Sequence, residues 1–69
     1  MEKLKKLRKE KNYALNDMAK LLNISKTFYW QLESEKRRLS YDMAIKIADI
    51  FSLKPDDLFY DVFKDKRSK

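Results

Sequence analysis

The stretch that decides the fold runs from Leu15 to Leu32 and reads LNDMAKLLNISKTFYWQL. Its apolar residues first recur at the i, i+3, i+4, i+7 spacing of one helix face, at Leu15, Met18, Ala19 and Leu22. Asn23 is expected to end this helix, because asparagine tolerates the left-handed backbone of a sharp turn. Ser25 is placed to cap a second helix that carries Tyr29 and Leu32 inward. The pattern predicts two short helices joined by a connection of about three residues.

One further helix is predicted before this pair and one after it. Glu2 to Lys11 combines Leu4 and Leu7 on one face with cations on the others, which is typical of an amphipathic surface helix. Ser40 is placed to cap a helix whose regular apolar stripe is formed by Tyr41, Ala44, Ile47, Ala48 and Phe51.

A fifth helix and a charged tail complete the prediction. Pro55 suits the first turn of a helix that ends at Phe63, and Asp56 and Asp57 stand where the helix dipole favours carboxylates. Residues 64–69 contain no apolar side chain, so we expect a flexible tail after a domain of residues 1–63. Because the chain has one Pro and no Gly, it lacks the usual turn chemistry of hairpins. The sequence predicts a compact all-α domain of five helices.

Composition argues against most catalytic chemistry. The 69 residues contain no Cys and no His, so the usual zinc ligands, the Ser-His and Cys-His nucleophiles and a disulfide framework are missing. The absence of Gly removes phosphate-cradling loops. Since a helix N-terminus already explains Asp56 and Asp57, we expect no enzyme activity, no cofactor and no metal. The net charge of +6 would attract a polyanion.

Hydropathy gives no sign of a membrane protein. No apolar run approaches the roughly 20 residues that span a bilayer, and no secretory hydrophobic region follows the basic start. We therefore expect a cytoplasmic protein without a membrane partner.

Two short helices with a tight connection are the hallmark of a helix-turn-helix unit, although any helical bundle can contain such a pair. The segment from Leu15 to Ser25 resembles the Cro and lambdoid-repressor (XRE-type) family of helix-turn-helix regulators. The resemblance extends over residues 4–59, and the other positions that match the family pattern are Arg8, Glu33, Ser40, Ile47, Ala48 and Pro55 to Phe59. It implies a lambda-repressor-like fold in which helices 2 and 3 form the DNA-binding unit.

The resemblance also implies that the third helix, about residues 26–34, lies in the major groove. If Tyr29 and Leu32 face inward, a turn of about 100° per residue leaves four base-contacting candidates outside, namely Lys26, Thr27, Trp30 and Gln31. Lysine can donate to guanine or to a phosphate, threonine can contact a thymine methyl, and glutamine can pair bidentately with adenine. Phe28 and Trp30 are unusual here, and each could contact thymine methyls or pack on the helix.

Supporting contacts are expected on both sides of this helix. In the family, the residues that match Arg8 and Glu33 pair across the first and third helices, and we expect an exposed ion pair that orients the third helix. Four residues are expected to contact the DNA backbone: Ser25, Lys36, Arg37 and Arg38. The cations among them could also be a solvated charge run.

Four positions depart from the family pattern. Leu15 replaces a glutamine that contacts DNA, so that contact cannot be transferred. Ala14 replaces the usual Ser or Thr cap, which should cost about 1 kcal/mol. Asn23 and Glu35 replace two glycines, and Glu35 should cost roughly 1 kcal/mol or more at positive φ. Either the turn at Glu35 is built differently or it is strained.

The leading hypothesis is a transcriptional regulator, most often a repressor in this family, that binds double-stranded DNA in a prokaryotic cell or from a phage or mobile element. A homodimer on a two-fold symmetric operator would place half-sites about 34 Å apart. Tyr60 and Phe63 are the candidate dimer contacts, because the last helix carries more apolar material than it can bury internally. The alternative is an antitoxin or mobile-element accessory factor of the same fold, which acts mainly through protein contacts.

Overall fold

The computed structural model describes residues 1–67, and of residues 64–67 only the backbone. Five helices follow one another, and the described residues contain no strand. The helices are α1 (Glu2–Glu10), α2 (Leu15–Leu22), α3 (Lys26–Glu33), α4 (Tyr41–Ile50) and α5 (Pro55–Arg67). The predicted all-α class and the five-helix order are confirmed.

The core lies where α2 packs against both α3 and α4, and where α4 packs against α5. The largest fully buried side chains come from all five helices and are Leu4, Met18, Tyr29, Leu32, Ile47 and Phe59. Each such burial stabilises the fold by roughly 1.5–3 kcal/mol. Tyr29 and Leu32 therefore face inward as predicted, and α3 is anchored to the core along one side.

Serine side chains fix where α3 and α4 begin. The hydroxyl of Ser25 accepts a hydrogen bond from the Phe28 amide at 3.0 Å, and that of Ser40 accepts one from the Met43 amide at 3.1 Å. Both predicted caps are confirmed. The start of α2 is weaker, because Ala14 has no side-chain acceptor, although Asp17 Oδ2 accepts from the Ala14 amide at 2.7 Å.

Four of the helices end in the same left-handed turn, built without glycine. The residues with positive φ are Asn12, Asn23, Glu35 and Ser52, with φ between 57° and 61°. After Asn23, the Ile24 amide donates to the Ala19 carbonyl at 2.9 Å, and the other three turns repeat this pattern. The prediction for Asn23 is confirmed. Glu35 has φ 60°, so its turn has the usual geometry and carries the cost of a side chain there.

Helix boundaries differ from the prediction at two places. The prediction that α5 ends at Phe63 is wrong, because its backbone stays helical through Arg67. Polar residues without Gly or Pro do not by themselves stop a helix. A kink at Phe59, with φ −120° and ψ 16°, divides α5 into two segments. Of the flexible tail predicted over 64–69, residues 68–69 lie outside the described residues.

Candidate nucleic-acid interface

The outer face of α3 brings together the four residues that the sequence suggested for base contacts. Lys26, Thr27 and Trp30 are exposed, and Gln31 is half-buried. Trp30 keeps 42% of its surface exposed, so its indole ring can be reached by a partner. These side chains form a surface of ammonium, hydroxyl, indole and amide groups on a helix whose opposite face is buried in the core.

Behind this face, a buried network ties α3 to α1. Arg8 donates from Nε to Glu33 Oε2 at 2.8 Å and from Nη2 to Glu33 Oε1 at 3.0 Å. Tyr29 donates its hydroxyl to the same Oε2 at 2.8 Å, and Arg8 Nη1 reaches the Tyr13 carbonyl at 2.8 Å. The Arg8 guanidinium thus connects α1 to the C-terminal end of α3 and to the α1–α2 turn.

The expectation of an exposed ion pair is wrong. The predicted pair forms, but Arg8 and Glu33 each retain only 7% of their surface, and the buried Tyr29 donates to the same carboxylate. Breaking a buried pair leaves an uncompensated charge, which costs far more than losing an exposed one. Every buried side-chain nitrogen and oxygen atom in the described part of the chain has a hydrogen-bond partner. The network is therefore complete.

Burial and charge fix the protonation states of this network. Burial raises the pKa of the Tyr29 hydroxyl far above its ordinary value, and its hydrogen bond to Glu33 raises it further. The hydrogen bonds that Arg8 donates to Glu33 raise the pKa of Arg8, while desolvation opposes this shift. Tyr29 therefore stays a neutral donor and Arg8 a cation at any physiological pH.

The connector after α3, residues 34–40, folds back along the helix. The left-handed turn at Glu35 lets the amides of Lys36 and Arg37 donate to the Gln31 carbonyl at 2.8 and 3.2 Å. Lys36 Nζ lies 6.0 Å from the centre of the Trp30 ring. The predicted backbone-contacting cations are thus brought beside the predicted base-contacting residues, and Arg38 is exposed next to them.

Arg37 makes two side-chain contacts that helical periodicity could not reveal. Its guanidinium carbon lies 4.6 Å from the centre of the Phe28 ring, and its Nε donates to Gln31 Oε1 at 3.1 Å. Phe28 is half-buried and packs against the core on its other side, which favours the packing interpretation of this aromatic residue. The family's preference for glycine at the position of Glu35 was the available signal that the connector reverses here.

The last predicted surface is the candidate dimer contact. Tyr60 is 55% exposed. Phe63 is half-buried and packs edge-on against Tyr41 at 5.8 Å and Phe59 at 6.4 Å, so part of its ring is used within the fold. Tyr41 was assigned to the inward stripe of α4, but it is 55% exposed. Tyr41 is the first residue of α4, and its ring packs against that of Phe63.

Other kinds of site find no support within the described residues. No group of three carboxylates lies close enough together to hold a metal ion. Asp57 Oδ2 accepts from the Lys54 amide at 3.0 Å, which makes it a helix cap. Over residues 1–67, no helix has the length and apolar content to cross a membrane.

Comparison with known proteins agrees with this architecture. The helix-turn-helix domain family matches residues 1–62. The chain is also similar to the HTH-type transcriptional regulator AnsR of Bacillus subtilis (strain 168), with 40% identity over 58 residues, which is 84% of this chain and 50% of that protein. It therefore spans about half the length of this relative. No solved structure matches the chain. With α2 and α3 packed as its central pair, the chain belongs to the helix-turn-helix domain family.

Proposed function

We propose that this protein is a sequence-specific repressor that reads the major groove of double-stranded DNA with α3. The observation that carries the proposal is the division of α3 into a buried side and an exposed side. Its buried side is fixed by the core and by the Arg8–Glu33 pair. Its exposed side presents hydrogen-bonding and apolar groups that match the features of base edges.

The four outer residues divide into two kinds of base contact. Lys26 and Gln31 can hydrogen-bond to base edges, whereas Thr27 and Trp30 can contact thymine methyl groups. Trp30 is exposed and lies under the ammonium of Lys36, so it meets a DNA surface rather than the core. Because α3 is rigid, these side chains approach the groove with little loss of conformational entropy.

A second group of residues would grip the phosphate backbone. Ser25 lies at the N-terminal end of α3, and Lys36, Arg37 and Arg38 follow its C-terminal end, all four being exposed. Phosphate contacts at both ends of a reading helix set its register in the groove without specifying sequence. The net charge of +6 supports a strong electrostatic contribution to binding.

We further propose that two copies bind a two-fold symmetric operator. Half-sites would then lie about 34 Å apart, on one face of the duplex. Tyr60 and the exposed part of Phe63 are the proposed contacts between copies. Since AnsR is named as a transcriptional regulator and this chain spans half its length, regulation by the whole protein is part of the proposal.

Selection of bound duplexes from a random DNA pool tests the function directly. We expect one enriched motif with two inverted half-sites. Binding to it should weaken linearly with log salt, with a slope of about −0.9 per phosphate neutralised. Enrichment of a single half-site would contradict the dimer alone. If no motif is enriched, the base-reading role is wrong and a protein-interaction module of the same fold, such as an antitoxin, is favoured.

A further inference from the structure

We propose that Arg37 is a specificity-determining residue that reads guanine, with Phe28 and Gln31 holding its guanidinium in place. This inference rests on the proposed function, in which the connector was given only phosphate contacts. It assigns one of the three connector cations to base readout and leaves the other two on the backbone.

The main chain brings Arg37 to α3. At Glu35 the backbone enters the left-handed region, and the next two amides bond back to the Gln31 carbonyl, two residues before the end of the helix. Arg37 therefore starts beside the last turn of α3 and not at the end of a free loop. Its side chain then runs toward the N-terminal end of the helix.

Two residues on one face of α3 receive this side chain. Phe28 and Gln31 are three positions apart, so they are neighbours on the helix surface. The Phe28 ring supports the guanidinium carbon at 4.6 Å, and Gln31 Oε1 accepts from Nε at 3.1 Å. A ring contact and a hydrogen bond together restrict a side chain that would otherwise have large rotamer freedom.

The same contacts determine what this unit can recognise. Arginine has only donors, so the atom of Gln31 that meets it is the amide oxygen, and the amide nitrogen is left to face outward. Bidentate pairing of glutamine with adenine needs that oxygen as an acceptor. Because Nε already occupies one of the two acceptor sites on that oxygen, bidentate pairing with adenine is disfavoured, and the remaining groups of Arg37 and the amide nitrogen of Gln31 are donors. The major-groove edge that offers two acceptors and no donor is that of guanine, through O6 and N7.

The neighbouring cations provide the contrast. Lys36 lies at 6.0 Å from the Trp30 ring and carries an ammonium, which has no planar fork. Arg38 is exposed, and within residues 1–63 it has no recorded hydrogen bond or ring contact. It has the same chemistry as Arg37 without its contacts to α3, which makes Arg38 the matched control.

The test compares Arg37→Lys with Arg38→Lys, both of which keep the charge. Each variant is titrated with the duplex selected by the wild type and with a scrambled duplex of equal length. We expect Arg37→Lys to bind the selected duplex about 10- to 100-fold more weakly, with unchanged salt slope and little change on the scrambled duplex. Arg38→Lys should change either affinity less than about 3-fold, as expected for a phosphate contact.

Repeated selection with the variants identifies the base. Arg37→Ala should lose the preference for guanine at one position of each half-site, whereas Arg37→Lys, which keeps a donor to guanine, should only weaken it. Phe28→Leu should weaken it by about 2- to 5-fold. If that guanine preference survives in Arg37→Ala, or if both lysine variants lose affinity equally on both duplexes, the inference is wrong while the proposed function stands. If the wild type enriches no motif at all, both are wrong.

Discussion

The two sides of α3 differ in burial, polarity and hydrogen bonding, although the helix has only eight residues. The inner side contains Tyr29, Leu32 and Glu33, all buried and with every buried polar atom hydrogen-bonded. The outer side contains Lys26, Thr27 and Trp30, which are exposed, and a cationic connector folds over it. One side therefore serves stability and the other binding, and substitutions on the two sides should have separable effects.

The largest effect should follow from breaking the inner network. Arg8→Met leaves the Glu33 carboxylate buried without its cation, so we expect a loss of about 3 kcal/mol in the free energy of unfolding. Urea denaturation followed by circular dichroism measures this loss. The control is the double variant Arg8→Met with Glu33→Leu, which should recover much of it because no buried charge remains. A loss below about 1 kcal/mol in the single variant would mean that the pair behaves as an exposed one.

A smaller effect is expected from Tyr29→Phe, which removes one hydrogen bond to Glu33 and leaves the two from Arg8. The loss should be about 1 kcal/mol at neutral pH. Because the folded-state pKa of Tyr29 is raised, the unfolded chain releases this proton first as the pH rises above about 10, and stability then falls. The variant lacks this proton, so its stability should fall less steeply in alkaline solution. Parallel curves for the two proteins would rule out this contribution.

A substitution in the turn after α3 should raise the free energy of unfolding by an amount of similar size. Glu35→Gly relieves the left-handed strain and should stabilise the fold by roughly 0.5–1 kcal/mol, while the backbone turn keeps the connector in place. Ser52→Gly at the end of α4 is the matched control, with φ 57° and no part in the proposed interface. Thermal unfolding should show a gain for both. Loss of DNA affinity in Glu35→Gly alone would show that this side chain matters to the connector.

The smallest effect on stability is expected on the outer side. Trp30→Ala should change the free energy of unfolding by less than about 0.5 kcal/mol, since Trp30 is exposed and lies outside the hydrophobic core. DNA affinity should nevertheless fall. Trp30 is the only tryptophan of the chain, so its fluorescence in the wild type should also change on titration with the selected duplex. An unchanged emission spectrum at saturation would remove Trp30 from the interface.

Local patterns in the sequence predicted the local parts of this structure. The hydrophobic spacing gave α2, and the caps at Ser25 and Ser40 and the left-handed Asn23 follow from short-range chemistry that the structure reproduces. The apolar stripe of α4 does not predict the exposure of Tyr41, because such a pattern indicates which helix face is apolar and not how far along the helix that face is buried.

Features that depend on tertiary contacts were beyond sequence reasoning. The resemblance implies the pairing of Arg8 with Glu33, but their burial depends on how the helices pack around them, and the bond from the buried Tyr29 to Glu33 is part of that packing. The contact of Arg37 with Phe28 forms because the chain reverses at Glu35. Helical periodicity cannot predict a contact between a loop residue and the preceding helix. The absence of apolar residues after Phe63 indicates where packing ends and not where the helix ends, so the sequence does not reveal the continuation of α5.

The proposed function depends most on base readout by the outer side of α3. The most direct measurement is the affinity of Gln31→Ala for the selected duplex and for random DNA, relative to the wild type. Because Gln31 is on the outer side and supports Arg37, we predict a loss of about 1–3 kcal/mol on the selected duplex and almost none on random DNA. An equal loss on both duplexes would contradict base readout by this helix.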